Sequence, residues 1–287
     1  MTSHSASDSR WMGGDFRVGR IFDRAVSVYT RNFLTFSVVT LVTSAAPLLV
    51  PYYAGSWSSL PVQDRGTVVT ILTTITSVVL GLLSQSILVY GAFQVLRGRP
   101  VNLLESMKAG LRRFFPILGL IIFVALAFFM LFTGMMLAAG YAGAGLSRLS
   151  PGALLFIPPT VIILVGFLLL LIATLMLIAR WFVVIPVCMV ERFGPWRSLK
   201  RSAGLTQGRR WKISGIILVL FVCYGIIAKV IAITTVAVGG KTVELIASLL
   251  WSTVWSAFFA ILVVVTYYEL RSAKDGADIE QIAGVFD

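Results

Sequence analysis

Six long apolar runs, separated by short polar stretches, organise the 287 residues. A run of about 20 apolar residues is enough to cross a bilayer as a helix. Spans are expected at 33–53, 68–96, 116–140, 160–179, 213–238 and 245–270. Pro47 and Pro51 fall near the end of the first, the glycines from Gly140 to Gly145 dissolve the third, and Pro158-Pro159 marks the start of the fourth. The fold class that follows is all-α, a polytopic membrane protein with six transmembrane helices. Residues 1–16 are small, polar and unpatterned, and are expected to be a disordered tail. The membrane domain covers 17–270, and 271–287 form an acidic cytoplasmic tail. The first apolar run starts only at Phe33, so no secretory signal is expected.

The polar stretches have a period of their own. In 18–31, Val18, Ile21, Phe22, Ala25 and Tyr29 share one helical face, with Arg20, Asp23, Arg24, Ser27 and Arg31 on the other. In 101–115, Leu103, Leu104, Met107, Leu111, Phe114 and Phe115 oppose Asn102, Glu105, Lys108 and Arg112. In 195–211, Trp196, Leu199 and Ala203 form a stripe opposite Arg197 and Arg201, with Leu205 off it. Pro195 suits a first helical turn and Gly208 a stop. Each segment ends in basic residues followed by an aromatic: Arg31-Asn32-Phe33, Arg112-Arg113-Phe114 and Arg209-Arg210-Trp211. The second and third share Ala-Gly-Leu at 109–111 and 203–205. The pattern predicts three repeats, each a basic helix lying in the membrane interface followed by a transmembrane hairpin.

Charge orients this arrangement. The chain has 24 Lys and Arg against 12 Asp and Glu, a net charge of +12. Twenty of the 24 lie on one side: five before span one, five between spans two and three, eight within 179–212, and two after span six. The opposite loops hold Arg65, Arg148 and Lys241. Basic loops stay cytoplasmic, so both termini are expected inside. Trp181, Trp196 and Trp211 gather at the same boundary, with Trp57 on the other. Orientation accounts for the basic excess without a nucleic-acid partner. Charged residues make up only 13% of the chain and mean hydropathy is +0.93, whereas a soluble domain carries about 25% charged residues.

Little chemistry is on offer. Between their ends the spans hold no Asp, Glu, His or Arg, and one Lys, Lys229. Catalysis needs a positioned titratable group or an activated nucleophile. Cys188 and Cys223 lie apart in apolar runs, His4 is the one histidine, and no phosphate-cradling glycine motif occurs. No enzyme activity, cofactor or metal is expected, and the cytoplasmic acids read as isolated. The binding candidates are basic: Arg24, Arg31, Lys108, Arg112, Arg113, Arg197, Lys200, Arg201, Arg209 and Arg210 for lipid headgroups. Lys229 either snorkels to the outer headgroups or faces the bundle interior, toward an anionic headgroup or Glu244. Glu191 and Arg192 are expected to pair ahead of Pro195. Arg180 marks the inner interface, with a bent helix running on past Pro186. Span two is rich in hydroxyls (Thr70, Thr73, Thr74, Thr76, Ser77, Ser84, Ser86, beside Gln85), which suits helix packing or a substrate path.

One segment carries a resemblance. Glu191, Gly194, Ser198, Leu199, Arg201, Ser202, Leu205, Gly208 and Trp211 resemble, in type and spacing, the signature of the glycerophosphoryl diester phosphodiesterase membrane domain family. Tyr267-Tyr268-Glu269-Leu270-Arg271, followed by Asp275-Gly276-Ala277-Asp278, looks like that family's closing motif. Some members carry a soluble phosphodiesterase domain after the membrane unit. With about 17 residues after span six, the expectation here is the membrane part without that domain. The resemblance implies a multi-pass bacterial plasma-membrane protein. The expected partners are membrane lipids of the anionic cytoplasmic leaflet, or a separate soluble protein. Organising lipid or that partner is the expected role; the alternative is a transporter or channel for a small apolar or lipid-like solute, with a hydrated cavity along span two.

Overall fold

Six helices are long and apolar enough to cross a bilayer among the described residues: Phe33–Tyr53, Gly66–Leu96, Leu103–Ala138, Leu164–Val190, Arg210–Val236 and Gly239–Lys274. The structure is a computed structural model and describes residues 17–54, 62–146 and 159–283. Over these residues it is helical with no strand, and the protein is an all-α polytopic membrane protein. The tail 1–16 with His4, and also Trp57, Arg148 and Pro158, lie outside the described residues.

In chain order the helices are α1 (Val18–Arg31), α2 (Phe33–Ala45), α3 (Leu49–Ala54), α4 (Val62–Leu96), α5 (Leu103–Leu146), α6 (Pro159–Trp181), α7 (Val184–Val190), α8 (Pro195–Leu205) and α9 (Arg210–Ala283). A 3-10 turn at Ala46–Leu48, with Pro47 in it, joins α2 to α3. The last helix reverses at Gly240, whose φ of 67° and ψ of −167° only glycine adopts without strain. Its two arms are therefore separate spans. Gly239 is equally constrained, because a Cβ there would lie 2.6 Å from Val243 Cβ.

The two-faced segments take different forms. The first is a helix of its own: α1 buries Ile21, Ala25, Val28 and Tyr29, half-buries Val18 and Phe22, and exposes Arg20, Asp23 and Ser27. Asn32 breaks it from α2, and the Tyr29 and Ser37 hydroxyls hydrogen-bond across the break at 3.1 Å. The second is not separate. Helix α5 runs without interruption through Pro116 and on to Leu146, so the second segment and span three share one helix, and the glycines after Gly140 do not end that helix. The protein-facing side of its first turns is Ser106 and Gly110, while Leu103, Leu104, Met107, Leu111 and Phe115 are exposed. Small residues let α4 and α5 approach closely: a Cβ on Gly110 would meet Ser86 Cβ at 3.2 Å.

The third segment is again a discrete helix, α8, begun by Pro195 and followed by Gly208 at φ 84°. It buries Leu199 and Ala203 but also Ser198, Ser202 and Leu205, and leaves Trp196 exposed. Leu205 joins the buried face because the chain turns toward α9 directly after it. The bend after Arg180 falls at Phe182–Val183, before Pro186. Pro186 sits in the first turn of α7, where an amide hydrogen has no helical partner to lose. The break frees the Arg180 carbonyl, which accepts from the hydroxyls of Ser202 at 3.2 Å and Thr206 at 3.3 Å.

Burial is uneven along the membrane normal. Half of the apolar window of Gly239–Lys274 is buried, against 6–22% for the other five spans, so the last span is the axis of the bundle. The core gathers at the basic end, where Ala257 to Leu270 meets α1, α7 and α8. The far halves, including Leu126, Phe129, Leu168, Phe221 and Ile246, are exposed.

Candidate functional site

The basic end closes on a charged collar. Glu191, just past α7, accepts from Arg201 Nε at 3.2 and 3.4 Å and from the Tyr267 hydroxyl at 2.9 Å. Arg271 in turn donates to the Tyr267 oxygen at 3.3 Å. Four residues of the two sequence motifs, far apart in the chain, thus touch in space. The expected Glu191–Arg192 pair does not form: Arg192 sits at φ 56°, and its carbonyl accepts from Arg113 at 3.4 Å. Helix α8 places Arg201 one helical face away from its buried serines, which is what brings it to Glu191.

A second knot ties α1 to the last span. Arg24 Nη1 donates to Glu269 Oε1 at 2.8 Å, Arg20 Nη1 lies 3.7 Å from Oε2, and the Arg24 guanidinium stands over the Tyr268 ring at 5.3 Å. Lys274 donates to the Gly204 carbonyl and Arg210 to that of Ala203 at 3.3 Å. A third knot closes the α4–α5 loop: Glu105 accepts from Tyr90 at 2.8 Å and Gln94 at 3.0 Å, and Gln94 Oε1 accepts from the Asn102 amide at 2.9 Å. The acids Glu105, Glu191 and Glu269 are therefore not isolated. Each is held by groups from another part of the chain. Burial raises the Tyr29 phenol above its ordinary value, and the bond to Ser37 offsets part of that.

The candidate basic residues divide. Arg24, Arg113, Arg201 and Arg210 turn inward to the bonds just named; Arg209 is half-buried; Arg31, Lys108, Arg112, Arg197 and Lys200 are exposed, beside exposed Trp196 and Trp211. Lys229 lies on an exposed face of the first arm of α9. Glu244 is half-buried beyond the reversal, and the described ion pairs do not join the two.

Beyond the collar, at mid-depth, lies a cavity of about 480 Å³. Thr43, Ser44, Ser77, Ser84, Gln85 and Ser256 supply its polar wall, and Val78, Leu82, Ile121 and Ile185 its apolar one. At 1.5 Å per residue Gln85 lies about 16 Å from the basic end of α4, well inside the hydrocarbon. Gln85 Nε2 donates to Ser256 Oγ at 3.3 Å across the cavity. Among span two's other hydroxyls, Thr70, Thr74 and Ser86 donate to carbonyls one turn back, as membrane hydroxyls commonly do, whereas the buried Thr73 Oγ1 has no partner. The sequence flagged Ser77, Ser84 and Gln85; it gave no sign of Ser256, whose role is set by the last span's position at the axis. Among the described residues no group of three or more His, Cys, Asp or Glu is placed to hold a metal ion. The chain matches no family model, no curated protein and no solved structure.

Proposed function

We propose that this is a non-enzymatic, multi-pass protein of the bacterial plasma membrane, with both termini cytoplasmic, that organises anionic lipid at the inner leaflet. The observation that carries the reading is the division of the cations. The collar consumes some inwardly, while Arg31, Lys108, Arg112, Arg197 and Lys200 stay exposed, as do Trp196 and Trp211. Each Lys or Arg near an anionic leaflet gains about 1 kcal/mol, and tryptophan settles at headgroup depth. Likeness to the glycerophosphoryl diester phosphodiesterase membrane domain family fits this reading, since Glu191, Arg201, Tyr267 and Arg271 of its two motifs build one network.

Native mass spectrometry of the full chain from nanodiscs of mixed phosphatidylglycerol and phosphatidylethanolamine tests it. Phosphatidylglycerol should be retained preferentially, and Arg112→Gln, Arg197→Gln and Lys200→Gln together should remove the preference. Equal retention of both lipids by the unsubstituted protein would refute it. A second reading, a transporter or channel for a small apolar or lipid-like solute, is favoured by one observation: the mid-membrane cavity is walled by Ser77, Ser84 and Gln85 of span two.

A further inference from the structure

We infer that the mid-membrane cavity is a binding site for the neutral glycerol-ester head of an acylglycerol, taken in sideways from the bilayer. The inference rests on the transport reading and gives it a solute class. Its anchor is Ser84, which is 4% exposed, lines the cavity, and has no hydrogen-bond partner for its Oγ. Buried polar groups in proteins are almost always paired, so an orphaned hydroxyl in the wall of a cavity marks a place a ligand group would fill. The wall opposite is half-used. Gln85 spends one amide hydrogen on Ser256, which leaves its carbonyl oxygen, its second hydrogen and the Ser256 proton free. Ser77 donates to the Thr73 carbonyl and keeps its lone pairs for acceptance.

The wall therefore offers donors and acceptors with no charged side chain among its lining residues. An ionic head would be stripped of water there with nothing to replace it, which excludes a phospholipid's phosphate and favours hydroxyl and ester groups. The depth sets the rest of the ligand. Val78 lines the cavity and is exposed, as are Val42 of α2 and Ile75 of α4, so the approach is through lipid and the ligand must carry apolar chains. A volume of about 480 Å³ falls within the usual range for small-molecule sites, roughly 300–1,000 Å³, and accommodates the head while the chains remain outside.

Gly81 supplies the discriminating variant. It lines the cavity, and a Cβ there meets nothing within 4 Å, so a larger side chain can start there without a clash at its first atom, and Gly81→Phe is the variant chosen to fill the space. The full-length protein in phosphatidylcholine nanodiscs is irradiated with a diazirine-bearing diacylglycerol, and the labelled peptides are mapped. Saturable labelling is expected around residues 77–85 and 256, displaced by dioleoylglycerol and not by dioleoylphosphatidylglycerol. Gly81→Phe should lower it at least tenfold and Ser84→Ala several-fold, with melting temperatures unchanged. Gly81→Phe or Ser84→Ala labelling like the parent, or phosphatidylglycerol competing as well as dioleoylglycerol, overturns the site. Movement of a fluorescent diacylglycerol between leaflets of proteoliposomes separates the two layers of the argument. Labelling without movement keeps the site and refutes transport; movement untouched by Gly81→Phe keeps transport and refutes the site.

Discussion

Glu269 is the best point at which to strain the collar. Its side chain is 10% exposed, whereas those of Arg24 and Arg20 are 44% and 46% exposed. At an effective dielectric near 20, the Arg24 contact at 2.8 Å corresponds to a bare attraction of about 6 kcal/mol. Desolvating the carboxylate takes back much of that. Hydrogen bonds to charged groups retain about 1.5–3 kcal/mol, and because the arginine keeps half its water the lower part of that range applies. The Arg20 contact is longer, at 3.7 Å, and belongs with exposed pairs worth about 0–1 kcal/mol.

The substitutions follow from these magnitudes. Glu269→Gln should cost about 2 kcal/mol, Arg24→Ala a similar amount with part of it in lost packing on Tyr268, and Arg20→Ala under about 1 kcal/mol. The Arg24–Glu269 double-mutant cycle should return a coupling of about 1.5–2 kcal/mol. Unfolding in mixed micelles titrated with a denaturing detergent, followed by tryptophan fluorescence, measures all four variants. Hydrogen exchange should show α1 losing protection first, because Glu269 adds the charged tie to the apolar packing of α1 on the last span. A coupling below about 0.5 kcal/mol, or Arg20→Ala costing as much as Arg24→Ala, would refute the assignment of the knot to Arg24.

Four further outcomes are expected. Gly240→Ala should cost about 1–3 kcal/mol, the scale of a backbone forced into a glycine-only region; a melting temperature equal to the parent's would show that the reversal relaxes. In a Cys223→Ser background, Lys200→Cys should react with an impermeant thiol reagent only after cells are opened, whereas Ser58→Cys should react in intact cells; the reverse pattern inverts the topology. Tyr29 has its phenol pKa raised by burial, so its contribution is present below the ordinary tyrosine value of about 10 and is lost as pH climbs beyond it. Tyr29→Phe should therefore flatten the alkaline limb of the stability profile, and an unchanged limb removes Tyr29 as its source. Lys229 is exposed on its arm, so Lys229→Leu should leave expression and stability within about 0.5 kcal/mol, and loss of cellular function at full expression would assign it to a ligand.

What was legible in the sequence was whatever depends on one-dimensional pattern. Apolar length set six spans, Pro195 and Gly208 bracketed α8, and the faces of α1 followed from 3.6-residue spacing. The failures have a common cause. Span three is expected to begin at Pro116, but α5 carries Pro116 inside it, so the second two-faced segment and its span share one helix. The acids read as isolated because their partners, Arg24 for Glu269 and Tyr267 for Glu191, lie 245 and 76 residues away. Leu205 read as off the stripe because the wheel takes no account of the chain's exit into α9. The small-residue faces of Ser106 with Gly110 and of Ser198 with Ser202 were invisible to a hydrophobic pattern, since in lipid the surface that touches protein is often the less apolar one.

The two proposed roles place different demands on the molecule, and the distribution of packing meets both. At the basic end, Glu191 and Glu269 cross-link segments distant in sequence, Glu105 clasps the α4–α5 loop, and the core is gathered at the same end. Such a region keeps a fixed spacing among the exposed Lys108, Arg112, Arg197 and Lys200, which a surface for headgroups requires. In the far half the spans are mostly exposed. A ligand entering from the bilayer needs helices that part there without breaking polar bonds. The cavity lies at the boundary between these regimes, lined both by Ile185 of the buried α7 and by exposed Val78. Movement of α2 against α4 there would leave the collar intact. Leaflet anchoring and a lipid-accessible site are therefore compatible in one chain, with the last span, half buried and running through both regions, as the element they share.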